Sequence, residues 1–302
     1  MKKILFLSAI IMVFNSCSKD SPSIPDPTAA PAISAMPTSF LQKIVIENFT
    51  MTTCGQCPKY DLMLDSLVTH NPDRVYALTN HVTDVMCDTS LLTSTGGNYY
   101  DSVFNPVQIY PSGMVNRHLS SLNDLNPDNW PTTVFTTLSN VPTCGLAIEA
   151  ENITNSTLNM TVHIGFASAL LGQYNLHAFI VTDQIYTNDS LYLQLNDYSY
   201  EGATPDSNLT TLYPLNDTIH PYRHKYVLKK VIAAGGPEGD VIPTGSTYAG
   251  SHYTANYIVD LTGIDINNCY ILVYVDKYAT TYSGHKIINA QVARLGTTKD
   301  WN

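Results

Sequence analysis

The chain has 302 residues, of which 44% are apolar and only 13% charged, with a formal charge of −10 from 15 basic and 25 acidic side chains. That apolar share supports a sizeable core and excludes a wholly disordered chain, and the length suits roughly one to three domains. The acidic balance, with no basic block, excludes a grip on a phosphate backbone, so nucleic acid is not an expected partner. Charged residues stand at about half the usual globular proportion, so neutral hydrogen-bonding side chains, Tyr, Asn, Ser and Thr, must form much of the surface.

Met1 to Lys3 carry two positive charges, and Ile4 to Phe14 form an apolar run of eleven residues broken only by Ser8. This is an export-signal pattern, because a membrane-crossing helix needs about 20 apolar residues and no later segment approaches that. Ser16-Cys17 follows, similar to a bacterial lipoprotein processing site, so residues 1–16 are expected to be removed and Cys17 to be lipidated. Several acyl chains on that cysteine anchor a protein stably, whereas one alone does so marginally. Loss of Lys2 and Lys3 leaves 13 basic and 25 acidic side chains, −12 across 286 residues. Residues 17–40, with Pro22, Pro25, Pro27, Pro31 and Pro37, read as an extended tether.

Leu41 to Phe49, with the β-branched centre Ile44-Val45-Ile46, is the first expected strand. Cys54-Gly55-Gln56-Cys57-Pro58 follows, then a helical pattern from Lys59 to His70, closed by Asn71-Pro72, and a second strand from Val75 to Thr79. The order strand, Cys-x-x-Cys, helix, strand is the thioredoxin-like context for such a pair. Two intervening residues let both sulfurs meet at a helix start, where unpaired amides and the helix dipole favour a thiolate. Cys54 would attack a disulfide and Cys57 would resolve the mixed intermediate. A static staple and half of a zinc site are the competing readings of the same pair, the latter with Cys87 or His81 as a distant helper.

Tyr110-Pro111 precedes a short apolar strand and so resembles the cis proline that faces the cysteine pair in the thioredoxin fold, which makes it the candidate cis bond. Cys54, Cys57, Tyr110 and Pro111 are therefore the catalytic candidates if the site is redox active. Asp128 to Leu138, with Trp130, Val134, Phe135 and Leu138 at helical spacing, is expected to be a covering helix with its aromatics in the core.

These residues carry a family likeness. Val45-Ile46-Glu47-Asn48-Phe49-Thr50, Thr53 to Pro58, His81, and Tyr110 to Arg117 resemble the Omp28-related outer-membrane lipoproteins of Bacteroidetes-type bacteria. The resemblance implies a thioredoxin-like domain joined to a β-sandwich, placed at the outer membrane or cell surface. Where many relatives have an acid before Phe-Thr-Gly, this chain has Asn48 before Phe49-Thr50-Met51, which removes an acid that would help proton transfer during exchange.

From Cys144 onward the pattern changes to short strands: Cys144–Ala150, Thr157–Phe166, Tyr174–Val181, Tyr192–Leu195, Tyr222–Ala233, Ser251–Leu261, Cys269–Asp276 and Lys286–Leu295. The expected architecture is a thioredoxin-like α/β domain over 41–142 followed by an immunoglobulin-like antiparallel β-sandwich over 143–302. The loops 188–217 and 235–250 are the places for binding variation. With Cys17 lipidated, five cysteines remain, so one is unpaired; Cys54 with Cys57 and, among three choices, Cys144 with Cys269 are the expected disulfides, leaving Cys87.

No residue is assigned to a metal or cofactor. His220-Pro221-Tyr222-Arg223-His224 reads as a surface turn entering a strand, and no carboxylate cluster recurs at a calcium-binding spacing. Asp189-Ser190-Leu191 and Asp217-Thr218-Ile219 resemble short O-glycosylation acceptors in loops, marking Ser190 and Thr218. Two functions compete. One is a lipid-anchored binding or accessory subunit of an envelope complex, partnered by an outer-membrane receptor or transporter. The other is a thiol-disulfide oxidoreductase acting on a protein disulfide through Cys54 and Cys57.

Overall fold

The computed structural model describes residues 33–94, 97–199, 212 and 216–302. The export signal, Cys17, most of the tether and part of the loop before Asp217 lie outside the described residues. The first strand, β1 (Ile44–Thr50), is buried along its whole length, as its apolar centre requires. Pro58 sits in the first turn of α1 (Cys57–His70), which ends at Asn71 and leads into β2 (Val75–His81), parallel to β1. A short helix, α2 (Tyr99–Phe104), precedes β3 (Ser112–Val115), which runs antiparallel to β1, and α3 (Trp130–Thr137) closes the region. Trp130 and Val134 of α3 are core residues, but Phe135, expected beside them, is 79% exposed: it occupies the solvent side of that helix.

The strands that follow are β4 (Cys144–Thr154), β5 (Thr157–Phe166), β6 (Tyr174–Tyr186), β7 (Gln194–Leu195), β8 (Thr218–Ile219), β9 (Arg223–Val231), β10 (Asp240–Ile242), β11 (His252–Asp260), β12 (Cys269–Lys277), β13 (Lys286–Arg294) and β14 (Thr298–Lys299). β4 and β5 form a hairpin whose two turn residues, Asn155 and Ser156, both have positive φ (50° and 61°), the geometry that follows strand twist in a two-residue turn. Leu158, Met160, Val162, Ile164 and Phe166 of β5 all point inward, which is the alternation visible in the sequence.

The expected division near residue 142 does not separate two sheets. An eight-stranded sheet runs β13-β12-β6-β9-β2-β1-β3, with β10 beside the start of β6, so strands from both sides of that boundary share one ladder. The junction is β2 against β9, parallel, with Thr79 opposite Val227. A second sheet, β11-β5-β4-β14, packs against one face of the first. β6 and β12 are therefore buried on both faces. Leu176, Ala178, Ile180, Ile271, Val273 and Val275 enter the core between the sheets, while Phe179, Val181, Leu272 and Tyr274 enter the core shared with β1, α1 and α2. Residues 33–40, expected in the tether, also lie on the folded body: Phe40 packs at a tilt against Trp301, whose Nε1 donates to the Ser34 carbonyl at 2.9 Å.

A buried charge cluster fastens the first 142 residues to the later strands. Arg117, immediately after β3, donates from Nε to Glu47 Oε2 (2.9 Å), from Nη1 to Asp276 Oδ2 (2.8 Å) and from Nη2 to the Tyr100 hydroxyl (2.9 Å), with its guanidinium 3.5 Å over the Phe104 ring. Tyr100 donates to Glu47 as well, and Tyr274 donates to Glu47 Oε1 at 3.1 Å. Burial opposes the Arg117 charge, but Glu47 and its other partners outweigh it and hold the group protonated far above its ordinary range. Burial likewise pushes Asp276 up, and His177, His285 and Arg117 outweigh it and hold the carboxyl well down. His177 Nε2 lies 3.0 Å from Asp276 Oδ1, off the line of a hydrogen bond, and burial lowers the pKa of this imidazole against the opposing pull of Asp276. Removing one partner of a buried pair strands the others without solvent. Arg117→Met should therefore cost about 3 to 5 kcal/mol of stability, read as a lower midpoint in urea unfolding, and an unchanged midpoint would contradict that role for the cluster.

Candidate functional site

Cys54 and Cys57 are joined by a disulfide at the start of α1, with S–S 1.99 Å and Cα–Cα 5.4 Å, as the spacing predicts. The sulfurs are bonded to each other, so in this state neither is a thiolate ligand for zinc. The Tyr110-Pro111 bond is cis, again as expected. The Tyr110 hydroxyl is directed to α2, where it donates to Asp101 Oδ2 at 2.6 Å.

Sequence reasoning missed what covers the pair. The segment 194–197, which contains β7, crosses the Cys54–Cys57 turn and bonds to it along its backbone. Leu195 N donates to the Thr52 carbonyl (2.9 Å), Gln194 Nε2 to the Cys54 carbonyl (2.8 Å) and Asp197 N to the Gly55 carbonyl (2.9 Å). Gly55 lets the crossing run close, because a Cβ there would press on the Asp197 carboxylate and make that exposed side chain turn away. The strap is held from its far side too. Asn196 N donates to the Asp217 carbonyl (2.8 Å), its side-chain amide reaches the Leu212 and Asn216 carbonyls, and β7 pairs with β8. Beneath this cover Cys54 is 8% exposed and Cys57 1%.

A polar cluster lies behind the turn. Asp61, one helical turn beyond Cys57 on α1, accepts from Asn48 Nδ2 (3.2 Å) and from the Tyr222 hydroxyl (2.8 Å). Burial raises the Asp61 pKa against the opposing pull of Tyr222, His81 and Asn48. The strand thus offers Asn48 at this place, and an acid reaches its amide from the helix. His81 Nδ1 lies 2.7 Å from Asp84 Oδ2, which also accepts from Thr52 N at 2.9 Å. Burial pushes Asp84 up, but bonds from His81 and from the Met86 and Thr52 amides outweigh it and hold the carboxyl low.

His224 completes the cluster. The histidine expected on a surface turn lies in β9 as a buried residue, while His220, in the second cis X-Pro bond of the described residues, is exposed. His224 Nε2 donates to the Tyr192 carbonyl, two residues before the strap, at 2.9 Å, and the His224 ring stands edge-on to His81 at 5.2 Å. Burial and then the neighbouring His81 bring the His224 pKa down to about 4.

The remaining cysteines do not pair. Cys144, Cys269 and Cys87 are free and buried, so the expected Cys144–Cys269 disulfide is not formed. Cys144 begins β4 opposite Phe166 in the four-stranded sheet, whereas Cys269 begins β12 opposite Thr182 in the other, with its sulfur 3.6 Å from the Thr182 hydroxyl. Burial pushes the Cys144 thiol up to about 12 and the Cys87 thiol up to about 11, values that leave neither activated for exchange.

Fold and site together define a mostly β protein with a mixed eight-stranded sheet and a covered disulfide at a helix start. No protein-family description matches the chain, and no curated protein matches it. Among solved structures, HBP35 of Porphyromonas gingivalis is similar in fold, with a TM-score of 0.63 at 17% identity over 85% of this chain and 76% of that one. The Agrobacterium tumefaciens protein AGR_C_4864 aligns over 87% of this chain and 97% of its own at 14% identity, with a TM-score of 0.45.

The His224 environment sets a pH dependence. Its folded pKa of about 4 lies below the ordinary 6.5, so the unfolded chain binds the extra proton between those values. Its stabilising contribution is complete above about pH 6.5 and is lost as pH falls through about 4. Unfolding free energy should fall by a few kcal/mol across that window, and the decline should be shallower in His224→Gln; equal slopes in the two proteins would contradict the assignment.

Proposed function

We propose that the chain is a lipid-anchored envelope protein whose folded body is a binding or accessory subunit, with Cys54–Cys57 serving as a structural staple of a thioredoxin-like scaffold. The observation that carries this reading is the strap. Thiol-disulfide exchange needs in-line approach of a thiolate to a sulfur, and the strap leaves Cys54 only 8% and Cys57 only 1% exposed. A turn used for turnover would have to shed the bonds from Gln194, Leu195 and Asp197 in every cycle.

The anchor rests on the leader pattern and Cys17, and the outer-membrane or cell-surface location on the Omp28-related marks. The partner we favour is an outer-membrane receptor or transporter complex. It would meet a surface poor in charge, with 13% charged residues in the whole chain. Ser190 and Thr218 are both exposed and would be available to a sugar. The second reading, oxidoreductase action on a protein disulfide, is favoured by one specific observation: Asp61 stands a helical turn from Cys57 with a raised pKa, as a proton acceptor for a resolving thiol would.

An insulin-reduction assay with dithiothreitol as electron donor separates the two. The full chain should give the same turbidity rate as its Cys54→Ser variant; a wild-type rate several-fold above that variant would replace the staple with the oxidoreductase.

A further inference from the structure

The outer face of the four-stranded sheet carries a histidine pair that none of the functions above uses. β5 and β11 are antiparallel neighbours, with His163 opposite Thr254 and His252 opposite Gly165, so the two histidines are diagonal neighbours on the side facing away from the core. Their rings are nearly parallel, 27° apart with centroids at 5.2 Å, and His163 Nδ1 lies 3.1 Å from His252 Nε2. Glu149, on the adjoining β4, places Oε2 3.5 Å from the other ring nitrogen of His163. Trp301 stands edge-on to both imidazoles, at 6.2 Å from His163 and 5.6 Å from His252.

We propose that His163 and His252 form a surface chelate for one divalent transition-metal ion of the zinc, nickel or copper class. In the tautomer of His163 that carries its proton on Nε2, the nitrogen 3.5 Å from Glu149 Oε2 and short of a hydrogen bond to it, Nδ1 has a lone pair directed toward His252. Without a metal, the proton on His252 Nε2 bridges the two nitrogens. With one, that proton moves through solvent to Nδ1 of the same ring, and both facing nitrogens become donors with no net change in protonation.

The spacing suits a shared ion. Metal–nitrogen bonds of about 2.0 to 2.1 Å to atoms 3.1 Å apart meet at roughly 100°, between the octahedral and tetrahedral angles. Two strands paired by a full ladder hold that spacing before the ion arrives, and the exposed side of His252 gives it access. Among the described residues no group of three or more His, Cys, Asp or Glu is placed to hold a metal, so water would fill the remaining positions. Two neutral imidazoles and water favour nitrogen-loving dications over magnesium or calcium.

The test is calorimetric titration of the full chain with Ni²⁺ near neutral pH, in parallel with Cu²⁺ quenching of tryptophan fluorescence, for which Trp301 is the adjacent reporter. Binding of one ion per chain is expected, with affinity reduced about tenfold or more in His163→Ala and in His252→Ala, and by less in Glu149→Gln. His118→Ala removes an exposed histidine elsewhere and should leave binding unchanged. His252→Ala alters an exposed side chain, so its urea midpoint without metal should match the wild type and exclude unfolding as the cause of lost affinity. Absence of saturable binding in the wild type, or wild-type affinity in either histidine variant, would overturn the proposal.

Discussion

One buried guanidinium sets the architecture. Arg117 is 1% exposed, as are the carboxylates of Glu47 and Asp276 that neutralise it. None of the three can be left unpaired without a penalty of several kcal/mol. Glu47 belongs to β1 and Asp276 to β12, so satisfying Arg117 requires strands more than 200 residues apart in sequence to lie over a common core. That requirement agrees with the ladder, in which β9 and β6 bridge β2 to β12 and make one sheet of what the sequence suggests as two domains. Packing and electrostatics thus specify the same neighbours, which is the consistency that gives a single native arrangement.

The covered disulfide is a consequence of this merger. β9 pairs with β2 and β6 pairs with β9, and the connection from β6 to β9 carries Gln194, Leu195 and Asp197 onto the turn that holds Cys54 and Cys57. The strap takes its anchor points from carbonyls of Thr52, Cys54 and Gly55, in the turn that precedes α1. Its affinity for the turn is therefore built on backbone geometry that the disulfide fixes. His224 ties the chain just before the strap, at Tyr192, to the cluster of His81 and Asp84 beneath, so disulfide, strap and buried imidazoles form one cooperative unit. The histidine pair on the opposite sheet is remote from this unit in the fold, being on the outward face of β5 and β11.

Local chemistry was legible in the sequence where a feature depends on near neighbours. The boundaries of β5, the disulfide of Cys54 with Cys57 and Pro58 in the first helical turn all follow from short-range spacing, and the cis bond before Pro111 from a local resemblance. Features decided by distant partners were not. The apolar runs Phe179-Ile180-Val181 and Ile271 to Val275 are continuous rather than alternating, the mark of strands buried on both faces. That mark was the available sign that β6 and β12 belong to a shared sheet. No periodicity reports that Asp197 meets Gly55, since 142 residues separate them. Cys144 and Cys269 share an apolar core without bonding, because residence in β elements does not bring two sulfurs together. Phe135 shows the same limit on a helix, where spacing finds an apolar stripe but does not fix its edge.

The central claim is that Cys54–Cys57 is a staple sealed by the strap. Its reduction potential, measured by equilibrating the full chain with defined dithiothreitol buffers and trapping free thiols, tests this most directly. A structural staple predicts a value below about −300 mV. A value between about −180 and −230 mV, the range of enzymes that exchange disulfides with glutathione or folding proteins, would contradict it.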